Sequence, residues 1–312
     1  MNLDRIISVQ NSITVFRDGD RCLKVFNEDC AKADVINEAL NQARMEETTV
    51  TVPKILEVTE VNGKWAIVSE YIKGENLEQL MERYPEKAGE YMELFASLHC
   101  HIHQQSCPMF KKLKDELQRN INSSELSATD RYDLYSRLER IPKYNEVCHG
   151  NFVPSKVIIS AATGEPYIID WFHATQGNAA ADAALTYLLL RMRGRREEAE
   201  QYLALFCEKS GIEPHYIRRW MPLVAASQTV VANARSRAVL QRWIDDPAGA
   251  QEMETEVNEA SKLQFVSGLP VMCAAPARWW SSCRISSGII TSAMRWSCAG
   301  PFAWASASWV SA

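Results

Sequence analysis

The chain has 312 residues, 46% of them hydrophobic and 23% charged, with 13 Gly and 12 Pro. That composition belongs to a globular protein and excludes collagen-like, low-complexity and wholly disordered chains. With 34 basic against 39 acidic side chains the net charge is −5, which implies neither a basic nucleic-acid module nor a strongly charged partner.

In chain order, the first seventy or so residues read as strands with one helix. ITVFRD (13–18) and CLKVF (22–26) are short β-branched or aromatic runs, and Asp18-Gly19-Asp20 between them is a hairpin signal. From Ala31 to Glu47 the pattern becomes helical, with Val35, Ala39 and Ala43 at four-residue spacing and Glu38 among them. Pro53 to Val61 and Lys64 to Tyr71 predict two more strands around Asn62-Gly63. At Lys73-Gly74 that pattern breaks and helices are expected to take over.

Glu90 to His103 places Met92, Phe95, Ala96, Leu98 and His99 on one broad helix face. Helices over Lys111–Asn122 and Thr129–Arg140 follow. Asn145 to Asp170 interrupts them with three brief β-type runs, VCHGN, SKVIIS and PYIID, of the kind that mark a site rather than a core sheet. Helix returns at Asn178–Arg193 and is expected to continue to Lys262; no internal repeat is evident.

Composition changes at Gln264. From Phe265 to Ala312 there is no Asp, Glu or Lys, only Arg278, Arg284 and Arg295. Removing those three from the 34 basic residues leaves the first 264 residues with 31 basic and 39 acidic side chains, a net of −8. Trp279, Trp280, Trp296, Trp304 and Trp309 crowd the same segment. Arg interrupts each apolar stretch, and no consistent amphipathic face appears, so neither a membrane span nor a membrane-surface helix is expected. The segment reads as an out-of-frame or disordered end. Nine Cys without a CxxC pair fit reduced intracellular thiols. The start, MNLDRIISVQNS, lacks the pattern of a signal peptide, and a cytoplasmic location is expected.

Chemistry concentrates in Cys148-His149-Gly150-Asn151-Phe152-Val153-Pro154-Ser155-Lys156, the Val157–Ile159 strand, Ile169-Asp170-Trp171 and, 12 residues after Asp170, Asp182-Ala183-Ala184. In order and spacing these resemble the aminoglycoside phosphotransferase and choline kinase group of small-molecule kinases. The resemblance runs from about Ile6 to Lys262. It implies an α+β, two-lobe protein-kinase-like fold: a small antiparallel-sheet nucleotide lobe over 1–73, a larger helical lobe over 74–264, and the atypical tail over 265–312. It also implies transfer of the ATP γ-phosphate to a hydroxyl of a small molecule, aminoglycoside-like or choline-like, with Mg²⁺. No nucleic-acid partner is expected, and no oligomeric state follows.

Residue by residue, the resemblance puts His149, Asn151 and Asp170 in the catalytic set. Lys24, Glu38, Asn11, Ser12, Glu70 and Ile72 fall on the nucleotide side, the last two within the hinge-like run Ala66–Gly74. Asp170 and position 156 correspond to the metal ligands. Two departures bear on function. Asn151 stands where the family has the Asp that accepts or orients the substrate hydroxyl, and an amide does this less well than a carboxylate. Lys156 stands where the family has a metal-binding Asn, and an ammonium has no lone pair for a cation. Val153 replaces a second His, and the Ser8–Ile13 turn lacks glycine. Two readings follow: a phosphotransferase with reduced activity, or a pseudokinase that binds nucleotide or a partner without turnover.

Plainer readings stand beside these. Lys24 alone would be an edge-strand surface lysine, and His149 reads as a structural histidine of its loop. His99, His101 and His103 suggest packing and hydrogen bonding before a metal site, because no further ligand completes a tetrahedron. Asp182 is expected to brace the loop by accepting backbone hydrogen bonds. The Arg191–Arg196 cluster reads as a solvated helix end. Glu197, Glu198, Glu200, Asp245 and Asp246 either attract a cationic acceptor or form a solvated face.

Overall fold

The protein is described by a computed structural model covering residues 5–10 and 12–246. The expected tail over 265–312, the helix between Asp246 and Lys262 and the turn residue Asn11 lie outside the described residues.

The first part of the chain is one antiparallel sheet crossed by a helix. Its strands are β1 (Arg5–Gln10), β2 (Ile13–Asp18) and β3 (Arg21–Phe26), then, after helix α1 (Lys32–Met45), β4 (Ile55–Val61) and β5 (Lys64–Glu70). Their spatial order is β1-β2-β3-β5-β4. The β4–β5 turn holds Asn62 at φ 51° and Gly63 at φ 78°, the positive angles that a tight hairpin requires and that Asn-Gly supplies at low steric cost.

Strand alternation then decides where Lys24 goes. Leu23 and Val25 bury on one face with Ala66 and Val68, so Lys24 and Phe26 point to the other. That face is covered by α1, whose Val35, Glu38, Ala39 and Gln42 recur at helical spacing and are all buried. Phe26, Val35, Ala39 and Ile67 form the apolar contact between sheet and helix. A lysine and a glutamate are thus turned toward each other by two periodicities, 2 and 3.6.

The remainder is mostly helical. Strand β6 (Gly74–Asn76) leads into α2 (Leu77–Arg83) and α3 (Ala88–His103); β7 (Lys111–Lys112), α4 (Leu113–Ser123) and α5 (Ala128–Glu139) follow. Short strands β8 (Glu146–Cys148), β9 (Val157–Ser160), β10 (Pro166–Ile168) and β11 (Thr175–Gly177) come next. Helices α6 (Ala179–Met192), α7 (Arg196–Ser210), α8 (Pro214–Arg218), α9 (Met221–Gln228) and α10 (Ala234–Asp245) complete the described chain. The expected antiparallel-sheet-plus-helices α+β class is what the chain forms.

Two details differ from the sequence reading. The chain does not pass straight into helix at Gly74: β6 pairs with β9 to give the sheet β10-β9-β6, while β7-β11-β8 forms a second small sheet. Gly74 permits this, since a Cβ there would lie 1.9 Å from the Ile159 carbonyl oxygen. Arg191 is not on a solvated helix end. It is 2% exposed, donates to the Tyr187 hydroxyl at 2.7 Å, pairs with Glu200 and lies over the Trp243 ring; a guanidinium this buried is stable only when so partnered.

The helical core is built around α3, whose Met92, Phe95, Ala96, His99, Ile102 and His103 are buried at helical spacing, with Leu98 half-buried at the margin. Phe95 stacks on Phe152 at 4.4 Å and tilts against Tyr202 of α7 at 5.5 Å. Burying each such side chain contributes roughly 2 kcal/mol. The same packing fixes the loop between β8 and β9, where the site lies. Among the described residues no helix is long and apolar enough to cross a membrane.

Candidate active site

The loop 149–152 is held at nearly every residue. Gly150 sits at φ 76°, and a Cβ on it would lie 2.4 Å from the His173 carbonyl oxygen, so only glycine fits. Phe152 packs in the core and its carbonyl accepts the Thr186 hydroxyl at 3.0 Å. His149 is fully buried; its Nε2 lies 3.1 Å from the Ile169 carbonyl, which can only accept, and its Nδ1 is then free to accept the Asn151 backbone N–H at 3.3 Å. Burial lowers the His149 pKa against the nearby Asp182 and Asp170 carboxylates, consistent with this neutral tautomer. The ring therefore ties the loop to the segment carrying Asp170.

Asp182, in the first turn of α6, anchors the loop from below. Its carboxylate accepts the His149 N–H at 2.7 Å, the Gly150 N–H at 2.9 Å, His99 Nε2 at 3.0 Å and His103 Nε2 at 3.2 Å. Burial opposes the charged carboxyl, but the hydrogen bonds from His103 and His99 hold it well below the usual carboxylate range. Because the carboxylate only accepts, His99 carries its proton on Nε2, and Nδ1 accepts the Tyr202 hydroxyl at 2.7 Å. Burial, helped by His103, pushes the His99 pKa down to about 3. The three side chains could face one ion, but the Nε2 atoms of both histidines already donate to the Asp182 carboxylate, while His103 Nδ1 is buried without a partner. His101 lies apart, with Nε2 3.1 Å from the Thr49 hydroxyl.

Above the loop, four charged side chains meet. Lys24 Nζ of β3 pairs with Glu38 of α1 and donates to Asp170 Oδ1 at 2.9 Å. Lys156 Nζ, from a short 3₁₀ turn over Pro154–Lys156, pairs with Asp170 Oδ2. Asp170 has φ 72°, a left-handed conformation that costs a non-glycine residue energy and persists where surroundings enforce it. Here Ile169 N–H donates to the Lys156 carbonyl at 3.0 Å, the Trp171 indole is fully buried, and Asn41 of α1 donates to the Trp171 carbonyl at 3.1 Å.

Burial opposes charge in Lys24, Glu38 and Asp170, and the pairing overrides it for two of them. The Lys24 ammonium is raised above its ordinary value by Asp170 and Glu38 despite its burial. Asp170, though buried, is held well below the carboxylate range by the Lys156 and Lys24 ammoniums. Burial raises Glu38 even against Lys24. The donor set does not suit a divalent cation: both oxygens of Asp170 are taken by ammonium groups, and Lys156 has no lone pair to give.

The remaining sequence-selected residues are more dispersed. Lys24 is opposite Ile67 in the β3–β5 register, whereas Glu70 is opposite Arg21, three positions along the strand, with its carboxylate accepting the Lys54 N–H at 3.2 Å. Ile72 follows β5 and is half-buried; Ser12 closes β1 to β2, its carbonyl accepting the Asn27 N–H at 2.9 Å. Asn151 is 5% exposed. Sequence reasoning missed Asn41 and His173, which restrain Trp171 and Gly150. No local signal marks either residue, because each acts through a partner more than a score of residues away.

Comparisons with known proteins agree with this architecture. Aminoglycoside-3′-phosphotransferase of type VIII is 18% identical with a TM-score of 0.53, covering 72% of this chain and 93% of its own. The aminoglycoside phosphotransferase APH(3″)-Id from Streptomyces rimosus is 18% identical, TM-score 0.53, covering 71% and 91%. A thermostable mutant of aminoglycoside phosphotransferase APH(4)-Ia, in ternary complex with AMP-PNP and hygromycin B, is 17% identical, TM-score 0.51, covering 79% and 90%. At these identities the likeness is one of fold. No curated protein sequence matches the chain. Residues 7–220 match the sequence profile described as "Phosphotransferase enzyme family", and the chain belongs to that family.

Proposed function

We propose that the protein binds ATP against the Lys24–Glu38–Asp170 cluster and transfers the γ-phosphate slowly to a hydroxyl of a small molecule, aminoglycoside-like or choline-like, in the cytoplasm. The observation that carries this reading is the ion-pair chain itself: Lys24, paired with Glu38, meets Asp170 across 146 residues of sequence, and His149 ties the loop containing Asn151 to the segment carrying Asp170. Buried charges are costly and persist where they are paired, and two ammonium groups gathered on one carboxylate beside a pinned loop suit phosphoryl transfer, in which positioning and charge stabilisation dominate.

In this reading Lys24 holds phosphate oxygens, Glu38 orients Lys24, and the segment from Glu70 to Ile72 lies along the base. His149, neutral, keeps the loop at its height. The acceptor oxygen bonds to the γ-phosphorus as the bond to the β–γ bridging oxygen breaks, and ADP leaves. The Asn151 amide accepts a hydrogen bond from the attacking hydroxyl and so orients it, but it does not take the proton, which passes to solvent. That missing base, together with Lys156 in place of a metal ligand, makes the rate low. The Lys156–Asp170 pair favours a second reading, a pseudokinase that binds nucleotide without turnover.

Calorimetric titration of the full chain with ATP tests the shared part of both readings. Saturable binding is expected, weakened at least about tenfold in Lys24→Met, since a charge-assisted hydrogen bond contributes about 1.5–3 kcal/mol. An undetectable heat, or a Lys24→Met variant that binds as wild type, would overturn the nucleotide reading.

A further inference from the structure

We infer that this site takes its nucleotide without a divalent cation, the Lys156 ammonium standing where the metal's charge would otherwise act. The inference rests on the reading of the cluster as a nucleotide site.

The charges show why. Lys24 and Lys156 bring two positive charges, and Glu38 and Asp170 two negative ones, so the cluster is neutral as it stands. With a neutral side chain at 156 the same cluster would carry one net negative charge, which a divalent cation would convert to a net positive one. With Lys156 in place, a divalent cation would have to displace two ammonium groups from one carboxylate and then sit beside them. Mg²⁺ asks for near-ideal octahedral oxygen ligation and sheds water reluctantly. A single carboxylate whose two oxygens are already occupied offers it little.

The ammoniums are placed to serve a phosphate instead. An ammonium has three N–H donors. Lys24 directs its bonds to Glu38 and Asp170, and Lys156 pairs with Asp170, so donors remain on both. The Lys156 side chain is 6% exposed and those of Lys24 and Asp170 are 19% and 17% exposed, so the cluster is nearly dry yet opens to solvent at Lys24 and Asp170. An anionic phosphate entering there meets two cations already gathered on one carboxylate. Magnesium, by chelating the free nucleotide and adding positive charge near Lys156, opposes this mode.

The test is the affinity of the full chain for ATP in EDTA and in excess Mg²⁺, by calorimetry, for wild type and Lys156→Asn. Wild type is expected to bind in EDTA at least as tightly as in Mg²⁺. Lys156→Asn is expected to lose about tenfold or more in EDTA and to recover affinity when Mg²⁺ is added. Wild-type binding about tenfold tighter in Mg²⁺ than in EDTA would overturn the inference while leaving the nucleotide reading intact. No binding by either protein in either buffer would overturn both.

Discussion

Replacing Asn151 by Asp and Lys156 by Asn together raises the rate of phosphate transfer from ATP to a hydroxyl acceptor by about 10²–10⁴-fold, the usual contribution of a positioned general base. The two substitutions act on different parts of one site. A carboxylate at position 151 takes the proton from the attacking hydroxyl, on a loop already pinned by Gly150, His149 and Phe152. An amide at position 156 removes the ammonium from Asp170 Oδ2 and supplies an oxygen, so that a divalent cation finds two ligands. Because the parts work as a unit, the single variants gain far less than the pair. The Asn151→Asp variant alone faces a site still closed to metal, and the Lys156→Asn variant alone lacks a base. The comparison is initial rate with Mg²⁺ for wild type, both singles and the double. A double variant within about tenfold of wild type would mean that the site is impaired elsewhere.

The second large effect concerns stability. Asp182→Ala is expected to cost on the order of 5 kcal/mol, enough to consume most of a typical domain's margin. Four donors point at that carboxylate: two backbone N–H groups of the loop and the Nε2–H groups of His99 and His103. Three of the donors, on His149, His99 and His103, lie in the core beside Phe152 or Phe206, and the Gly150 N–H is part-buried; a buried donor left unsatisfied costs its full desolvation. Asp182→Asn separates charge from geometry. Its oxygen can keep the Oδ2 partners, but its NH₂ then faces the Gly150 N–H, so its stability falls between the other two. Urea midpoints of the three proteins give the order; an alanine variant within about 1 kcal/mol of wild type would show that water or a rearranged loop satisfies those donors.

Much of the fold is local in origin and could be read before the structure. Asn62-Gly63 encodes a tight turn because both residues tolerate positive φ. The α1 face follows from four-residue spacing, and the α3 face from the recurrence of Met92, Phe95, Ala96 and His99. What escaped the sequence is what depends on the far end of a side chain. Nothing near Arg191 tells that its guanidinium lies between Tyr187 and Trp243, so a run of arginines read as solvated when its first member is core. Strand β6 is three residues long, below the reach of any periodicity, and exists because Gly74 lets the Ile159 carbonyl approach. At the site, the resemblance gathered Lys24, Glu38 and Asp170 into one reading, and the chemistry of an ammonium argued against metal at 156. That Lys24 and Lys156 occupy both oxygens of the same carboxylate is a matter of geometry, and no spacing along the chain encodes it.

Whether phosphate actually moves is settled most directly by mass spectrometry of the products formed when the full chain is incubated with ATP and a panel of aminoglycosides and choline-like alcohols. The proposed function predicts a phosphorylated acceptor that accumulates slowly with wild type, faster with the double variant carrying Asn151→Asp and Lys156→Asn, and not at all with Lys24→Met. Absence of any phosphorylated acceptor from both wild type and the double variant would contradict it.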